Sequence, residues 1–166
     1  MESQTIRDSI LSLADGLDHR LGGPSVDPKK QPLASRRSLY FLHSRDDQHR
    51  FLNMFDDADI LRCYRRQSSV LPQQALTLMN SEIPLAMASR IADRVSYHAD
   101  VTRGHADFVS KAFEFILCRL PQPQEIDVCI RAMAAWESNG EGKRDSEARS
   151  NLVHTLLNHN DFITIR

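Results

Sequence analysis

The sequence predicts an all-α fold, an orthogonally packed helical domain of about six helices with a short extended segment. Three observations support this prediction. Apolar residues recur at helical spacing along most of the chain, one short stretch has strand character, and 41% of the 166 residues are hydrophobic while 26% are charged. This size and composition fit a single globular domain over residues 1–166, which is large enough to form a core without disulfides or metals.

The first predicted helix covers residues 5–14, where apolar side chains recur at helical spacing. These side chains are Ile6, Ile10 and Leu13. Residues 22–35 follow as an irregular loop, because they contain three prolines and two glycines in a polar context. Residues 36–43 have a strand-like composition, but no other stretch offers a sheet partner. We therefore expect residues 36–43 to be extended chain packed on helices.

A short helix is predicted within residues 46–55, after two aspartates that are suitable N-caps. Its apolar side consists of Phe51, Leu52 and Phe55. Helical spacing resumes at Pro72, with Leu76 and Met79 inward, and restarts after residues 80–81. The apolar residues of the restarted pattern are Met87, Ile91 and Val95. The two patterns predict either two consecutive helices or one helix with a break between them.

The pattern over residues 106–120 and its continuation after Pro123 predict a helical hairpin. The apolar stripe of its first helix consists of Phe108, Ala112, Phe115, Ile116 and Leu120. The stripe of its second helix consists of Ile126, Cys129, Ile130, Met133 and Trp136. Residues 137–145 are predicted to be a mobile linker, because they are rich in Gly, Ser, Asn and charged residues. A last helix over residues 145–158 would direct Leu152, Val153, Leu156 and Leu157 inward.

The composition excludes several classes of protein. No apolar run approaches the roughly 20 residues needed to span a membrane, and the first residues lack the basic and apolar regions of a signal peptide. The charges nearly cancel, yet 17 of the 21 basic residues are Arg and 15 of the 22 acidic residues are Asp. Because Arg pairs bidentately with carboxylates, we expect internal Arg–Asp ion pairs. The three cysteines show no CxxC spacing, so no disulfide is expected.

No catalytic or metal-binding motif is recognisable in the sequence. None of the seven histidines lies four residues from another, as a helical zinc pair requires. There is also no G-x-S-x-G elbow and no glycine-rich phosphate-binding loop. We therefore predict that this chain holds no metal and no cofactor, and the sequence favours a non-catalytic role over an enzyme.

Residues 36–66 form the one candidate binding surface, because seven arginines alternate there with aromatic residues. The predicted ligand-binding residues are Arg36, Arg37, Tyr40, His43, Arg45, Arg65 and Arg66. Five aspartates reduce the formal charge of the segment to +2, and the chain's pI of 6.6 is low for a nucleic-acid-binding protein. The arginines therefore serve either structural pairing with aspartate, which we favour, or a small anionic or sugar ligand. Nucleic acid is not expected as a partner.

Seven short motifs follow one another along nearly the whole chain. They are Ile6–Leu11, Leu21–Val26, Arg36–Tyr40, Phe51–Asp56, Arg65–Leu76 with the following Met79–Ser81, Arg119–Glu125 and Leu156–Phe162. Their order resembles the planctomycete domain-of-unknown-function family numbered fifteen-fifty-three. The chain departs from the family pattern at Cys118, where a glycine is common, and at His159, where a small polar residue is usual.

The resemblance implies a limited set of functional expectations. Family members are typically the C-terminal parts of large secreted proteins that also carry a cytochrome-c-like haem module. We therefore expect this chain to be a C-terminal fragment of an exported parent protein and a non-catalytic accessory or interaction module. Its expected partners are the upstream domains and, as a further candidate, an anionic glycan. The alternative is a glycan-active hydrolase or lyase that uses His43 or His49 as general base with neighbouring arginines.

Overall fold

The computed structural model describes residues 2–27, 33–42, 49–55, 72–99, 104–139 and 144–164. Within these residues there are eight α-helices and no strand, which confirms the all-α fold. The helices are α1 (Ser3–Leu13), α2 (Arg50–Asn53), α3 (Pro72–Asn80), α4 (Glu82–His98), α5 (His105–Leu117), α6 (Pro123–Asn139), α7 (Arg144–Leu157) and α8 (Asn160–Ile163). A 3₁₀ turn covers Ser38–Tyr40. No helix among these is long and apolar enough to cross a membrane.

Packing divides the chain into two compact units, Met1–Ile83 and Pro84–Arg166. That residues 1–166 form a single domain stays a prediction. In the first unit, α1 packs against the 3₁₀ turn and α2. The side chains that α1 buries are Ser3, Ile6, Arg7, Ile10 and Leu11. The helix predicted over residues 5–14 is therefore confirmed, and it begins two residues earlier.

The predicted extended segment is present at its two ends. Isolated parallel bridges join Asp18 to Arg36 and Val26 to Phe41. Between the bridges the chain tightens into the 3₁₀ turn Ser38–Tyr40. The bridges place this segment alongside the loop that follows α1, so two stretches of irregular chain support each other without forming a sheet.

Helix α3 buries a different face from the one that the sequence predicts. Leu76 and Met79 are each more than half exposed, whereas Gln74 and Leu78 are buried one turn apart. The prediction for this face was wrong because a polar residue, Gln74, belongs to it, and apolar spacing alone does not find such a residue. The alternative with two consecutive helices is confirmed, since Ser81 separates α3 from α4.

In the second unit, α5 and α6 form the predicted helical hairpin, and α7 packs against both. On α4, Ile91 and Val95 are buried as predicted, and Met87 is half-buried. The core residues from α5, α6 and α7 include Phe108, Val109, Ala112, Ile116, Met133, Leu152, Val153, Leu156 and Leu157. All four residues predicted to point inward on the last helix are therefore in the core. Residues 140–143, the centre of the predicted linker 137–145, lie outside the described residues.

Helix α5 ends earlier than the sequence predicts. Cys118 has a left-handed backbone, with φ 53° and ψ 31°, which stops the helix at Leu117. The prediction that Leu120 points inward was wrong, because this residue lies beyond the end of the helix and is 67% exposed. Glycine adopts the left-handed conformation without steric cost. The glycine that the resemblance leads us to expect at this position would therefore fit the backbone better than Cys118 does.

Replacing Cys118 by glycine is expected to raise the free energy of unfolding by about 0.5 to 1 kcal/mol, because the steric cost of the left-handed backbone exceeds glycine's entropic cost. Cys118 is exposed, so little packing is lost. Urea unfolding measures the change. The matched control is Cys118→Ala, which keeps the Cβ atom and should stay within about 0.5 kcal/mol of the wild type. Equal stability of the two variants would contradict the explanation.

Candidate functional site

The predicted binding surface is only partly within the described residues. Three of its seven predicted ligand-binding residues are described: Arg36, Arg37 and Tyr40. The other four lie outside the described residues: His43, Arg45, Arg65 and Arg66. Of the two histidines predicted for the alternative enzyme, His49 is described and His43 is not. All the described members of this surface belong to the first unit.

Arg36 and Tyr40 hold the glycine turn at Gly22 and Gly23 in place. The guanidinium carbon of Arg36 lies 4.1 Å from the centroid of the Tyr40 ring, and its Nη2 donates to the carbonyl oxygen of Gly22 at 2.6 Å. The Gly22 N–H donates to Tyr40 Oη at 2.9 Å. Both glycines have positive φ, 73° and 96°, which a tight turn of this kind requires. Two of the predicted ligand-binding residues therefore stabilise the fold.

A buried ion pair on α1, the Arg7–Asp8 clamp, fixes the same segment. The Arg7 guanidinium is fully buried. It donates to the carbonyl oxygens of Ala34 and Arg36 and to Ser38 Oγ at 3.2 Å. The Asp8 carboxylate accepts hydrogen bonds from Ser38 N at 2.9 Å and from Ser38 Oγ at 2.6 Å. The clamp thus fixes the backbone at Ala34 and Arg36, where the segment begins, and at Ser38, where the 3₁₀ turn begins.

Burial lowers the pKa of the clamp's arginine but leaves it charged at neutral pH. Desolvation lowers the pKa of Arg7 to about 10, against the opposing attraction of Asp8, so the guanidinium stays protonated at neutral pH. Its guanidinium carbon also lies 4.5 Å from the centroid of the Phe41 ring. The sequence does not predict a buried Arg7, because apolar spacing assigns the inward face of α1 to Ile6, Ile10 and Leu13. The available signal was position, since Arg7 follows Ile6 and precedes Ile10 by one turn.

Four exposed leucines lie on the two segments that meet at the bridges. We name them the leucine surface: Leu21, Leu33, Leu39 and Leu42. Leu21 is 82% exposed and Leu39 is 54% exposed. The neighbouring Arg37 is half-buried, and among the described residues no hydrogen bond or ion pair engages its guanidinium. A contiguous exposed apolar patch is typical of an interaction site, whereas single exposed apolar side chains are common on any protein surface.

His49, the alternative general base, is packed inside the first unit. It is 7% exposed, and the centroid of its ring lies 4.9 Å from that of Phe41. The next residues along the chain, Phe51 and Leu52, are buried as well. A general base must come within hydrogen-bond distance of the proton that it removes. The His49 ring offers no open face to a polymeric substrate.

The second unit contains an open cleft of about 630 Å³, which we name the His105 cleft. Among the polar side chains that line it are His105, Glu137 and Asp145. His105 is the first residue of α5, Glu137 lies in the last turn of α6, and Asp145 lies in the first turn of α7. One nitrogen or oxygen atom from each of these three residues lies within 4.8 Å of the other two. The distance from His105 Nε2 to Glu137 Oε1 is 3.3 Å.

Arg149 orders the third member of the His105 cleft. Its Nη2 lies 2.8 Å from Asp145 Oδ2, and its Nε donates to Asp145 Oδ1 at 2.9 Å. Arg149 is itself held, because its Nη1 donates to Ser96 Oγ at 3.0 Å and its guanidinium carbon lies 5.1 Å from the Phe108 ring centroid. The sequence does not predict this cluster, because its three residues lie at the ends of three different helices and no local spacing connects them.

Residues 1–133 match the family described as PSD1, protein of unknown function (DUF1553). The matched residues contain the Arg7–Asp8 clamp and the leucine surface and extend into α6. Glu137 and Asp145 of the His105 cleft lie beyond them. Comparison with curated proteins and with solved structures gives no match for the chain. Because the family match covers well over half of the chain, this protein belongs to the DUF1553 family of proteins of unknown function.

Proposed function

We propose that this protein is a non-catalytic accessory and interaction module of a larger exported, haem-associated protein. In this proposal, the leucine surface binds the upstream domains of that parent protein. The observation that carries it is the combination of exposed leucines with a buried clamp on α1 that holds the backbone next to Leu33 and Leu39. Leu21 and Leu39 are both more than half exposed, while the clamp holds the backbone at Ala34, Arg36 and Ser38.

The physical argument rests on the cost of binding. A loop that must be ordered on association loses conformational entropy, whereas a segment that is already fixed keeps most of its apolar burial as binding energy. Burial of one exposed leucine contributes about 1.5 to 3 kcal/mol. Burial of two such side chains on a fixed backbone would therefore strengthen binding by a factor of about a hundred or more.

The burial of His49 supports this role over a glycan hydrolase or lyase, because no second base among the described residues belongs to the predicted surface. An anionic glycan is a second candidate partner, and one observation favours it. Arg37 carries a positive charge that no described residue neutralises. A partly exposed guanidinium of this kind can pair with sulfate and carboxylate groups.

The first experiment tests the parent protein and its contact. The polypeptide encoded upstream of Met1 in the same reading frame is expressed separately and titrated calorimetrically with this chain. We expect binding, and we expect Leu39→Asp to weaken it by at least about tenfold, since a charge replaces a leucine that the proposed contact would bury. The matched control is Val128→Asp, which changes an exposed apolar residue of the second unit. Absence of binding, or equal binding by both variants, would contradict the proposal.

The second experiment separates the glycan from the protein partner. Retention of the wild type on an immobilised sulfated polysaccharide at low salt, lost in Arg37→Gln, would support glycan binding. The same variant should bind the upstream polypeptide as the wild type does, because Arg37 lies outside the leucine surface. Equal retention of wild type and variant would remove Arg37 as a glycan contact.

A further inference from the structure

We propose that His105, Glu137 and Asp145 form a binding site for one divalent transition-metal ion, for which Zn²⁺ is the best match. This site lies in the second unit and is independent of the leucine surface. Its three members come from the adjoining ends of α5, α6 and α7, so packing of the helices, and not a local motif, assembles it.

The geometry of the cluster fits a tetrahedral metal ion. Zinc binds imidazole nitrogen and carboxylate oxygen at about 2.0 to 2.2 Å, so two ligand atoms of a tetrahedral site lie roughly 3.3 to 3.5 Å apart. The observed distance from His105 Nε2 to Glu137 Oε1 is 3.3 Å. The Asp145 side chain is 55% exposed, so it has room to bring one oxygen from within 4.8 Å into the same range.

His105 Nε2 and Glu137 Oε1 lie 3.3 Å apart and form an ion pair only when the imidazole is protonated. Glu137 Oε1 is shielded from solvent and accepts no hydrogen bond, although His105 Nε2 is nearby. A shielded carboxylate oxygen without a donor is energetically unfavourable. A cation bound between Nε2 and Oε1 removes that cost, because both atoms direct lone pairs at it once His105 is neutral.

A supporting residue keeps the third ligand in place. Arg149 binds both oxygens of Asp145 and is anchored by Ser96. When one oxygen of Asp145 turns to the metal, the other keeps its bond to Arg149. Carboxylate ligands in metal sites are commonly held in this way. The two carboxylates and the one guanidinium together leave a net negative charge, which favours a dication.

The ligand set selects among metals. Imidazole nitrogen suits Zn²⁺, Cu²⁺ and Ni²⁺, whereas Mg²⁺ and Ca²⁺ prefer oxygen ligands alone. Three protein ligands leave the fourth tetrahedral position open toward the cleft. We therefore expect Zn²⁺ to bind and Mg²⁺ at the same concentration not to bind.

The test titrates the full chain with ZnCl₂, followed by calorimetry and by the thermal unfolding midpoint. We expect one Zn²⁺ per chain and a rise in the midpoint, because a ligand that binds only the folded state stabilises it. His105→Gln and Glu137→Gln should each weaken binding by at least about tenfold. The matched controls are His98→Gln and Glu147→Gln, which alter exposed residues outside the cluster and should bind as the wild type does.

Cobalt substitution distinguishes this site from the cysteines. Co²⁺ bound by nitrogen and oxygen gives visible d–d bands without the thiolate-to-metal charge-transfer band that a cysteine ligand produces. Circular dichroism confirms that each variant is folded, and Asp145→Asn provides a further variant at the most exposed ligand. No zinc binding, binding unchanged by His105→Gln and Glu137→Gln, or a thiolate band in the cobalt spectrum would each overturn the proposal.

Discussion

Replacing Arg7 by methionine is expected to lower the free energy of unfolding of the first unit by about 3 to 5 kcal/mol. Methionine has a comparable length, so the main loss is electrostatic. The variant leaves the Asp8 carboxylate without its cation, and it leaves acceptors at Ala34, Arg36 and Ser38 without a donor. Urea unfolding followed by circular dichroism measures the change.

The control for this prediction is Arg20→Met. The Arg20 side chain is 88% exposed and lies 4.0 Å from Asp18, so its loss should cost no more than about 0.5 kcal/mol. Arg7→Lys should lie between the two variants, because lysine keeps the charge but lacks the fork that reaches three acceptors. If Arg7→Met and Arg20→Met were equally stable, the clamp would not stabilise the segment.

The second large effect is expected at Arg119, in the turn between α5 and α6. Its guanidinium binds both oxygens of Glu125 at 2.7 and 2.8 Å and donates from Nε to Asp161 at 2.8 Å. Arg119→Met should therefore cost about 1.5 to 3 kcal/mol, because two carboxylates are left facing each other. The side chain is 30% exposed, which keeps the cost below that of a fully buried pair. Urea unfolding at neutral pH measures it.

The same network predicts a pH dependence. Hydrogen bonds from Arg119, and one from the Gln122 N–H, lower the pKa of Glu125 to about 2, against the opposing effect of partial desolvation. A carboxylate with a depressed pKa contributes its full stabilisation above the unfolded value of 4.5, and this is lost as the pH falls toward about 2. The stability difference between wild type and Arg119→Met should thus shrink by about 1 kcal/mol from pH 5 to pH 3.

Lys111→Met is the control for the Arg119 prediction. Lys111 lies 2.8 Å from Glu114 in a pair whose side chains are both more than 40% exposed. An exposed pair of this kind contributes little to stability, so this variant should be nearly neutral. An Arg119→Met difference that stays constant over the whole pH range would contradict the assigned role of Glu125.

The sequence predicted those parts of the fold in which apolar spacing and turn residues agree. The α5–α6 hairpin has a strong apolar stripe and two prolines at its turn, and α7 buries the four residues expected. Composition also pointed to internal Arg–Asp pairs. Among the described residues, Arg7–Asp8 and Arg119–Asp161 are partly or fully shielded pairs, whereas Arg149–Asp145 and Arg20–Asp18 each have one mostly exposed member.

The candidate sites were harder to predict, for two physical reasons. A buried charge such as Arg7 cannot be told from a surface residue in sequence, because the hydrogen-bond acceptors that stabilise it when buried come from distant parts of the chain. The His105 cleft draws its members from three helix ends, so no spacing rule connects them. The predicted ligand-binding residues Arg36 and Tyr40 both stabilise the turn at Gly22.

Hydrogen exchange measured by mass spectrometry tests the proposed interaction surface most directly. The chain is compared alone and in the presence of the separately expressed upstream polypeptide. We expect new protection of backbone amides within residues 18–27 and 33–42, where the leucine surface lies, and unchanged exchange in α5, α6 and α7. Protection confined to the second unit, or no change anywhere in the chain, would contradict it.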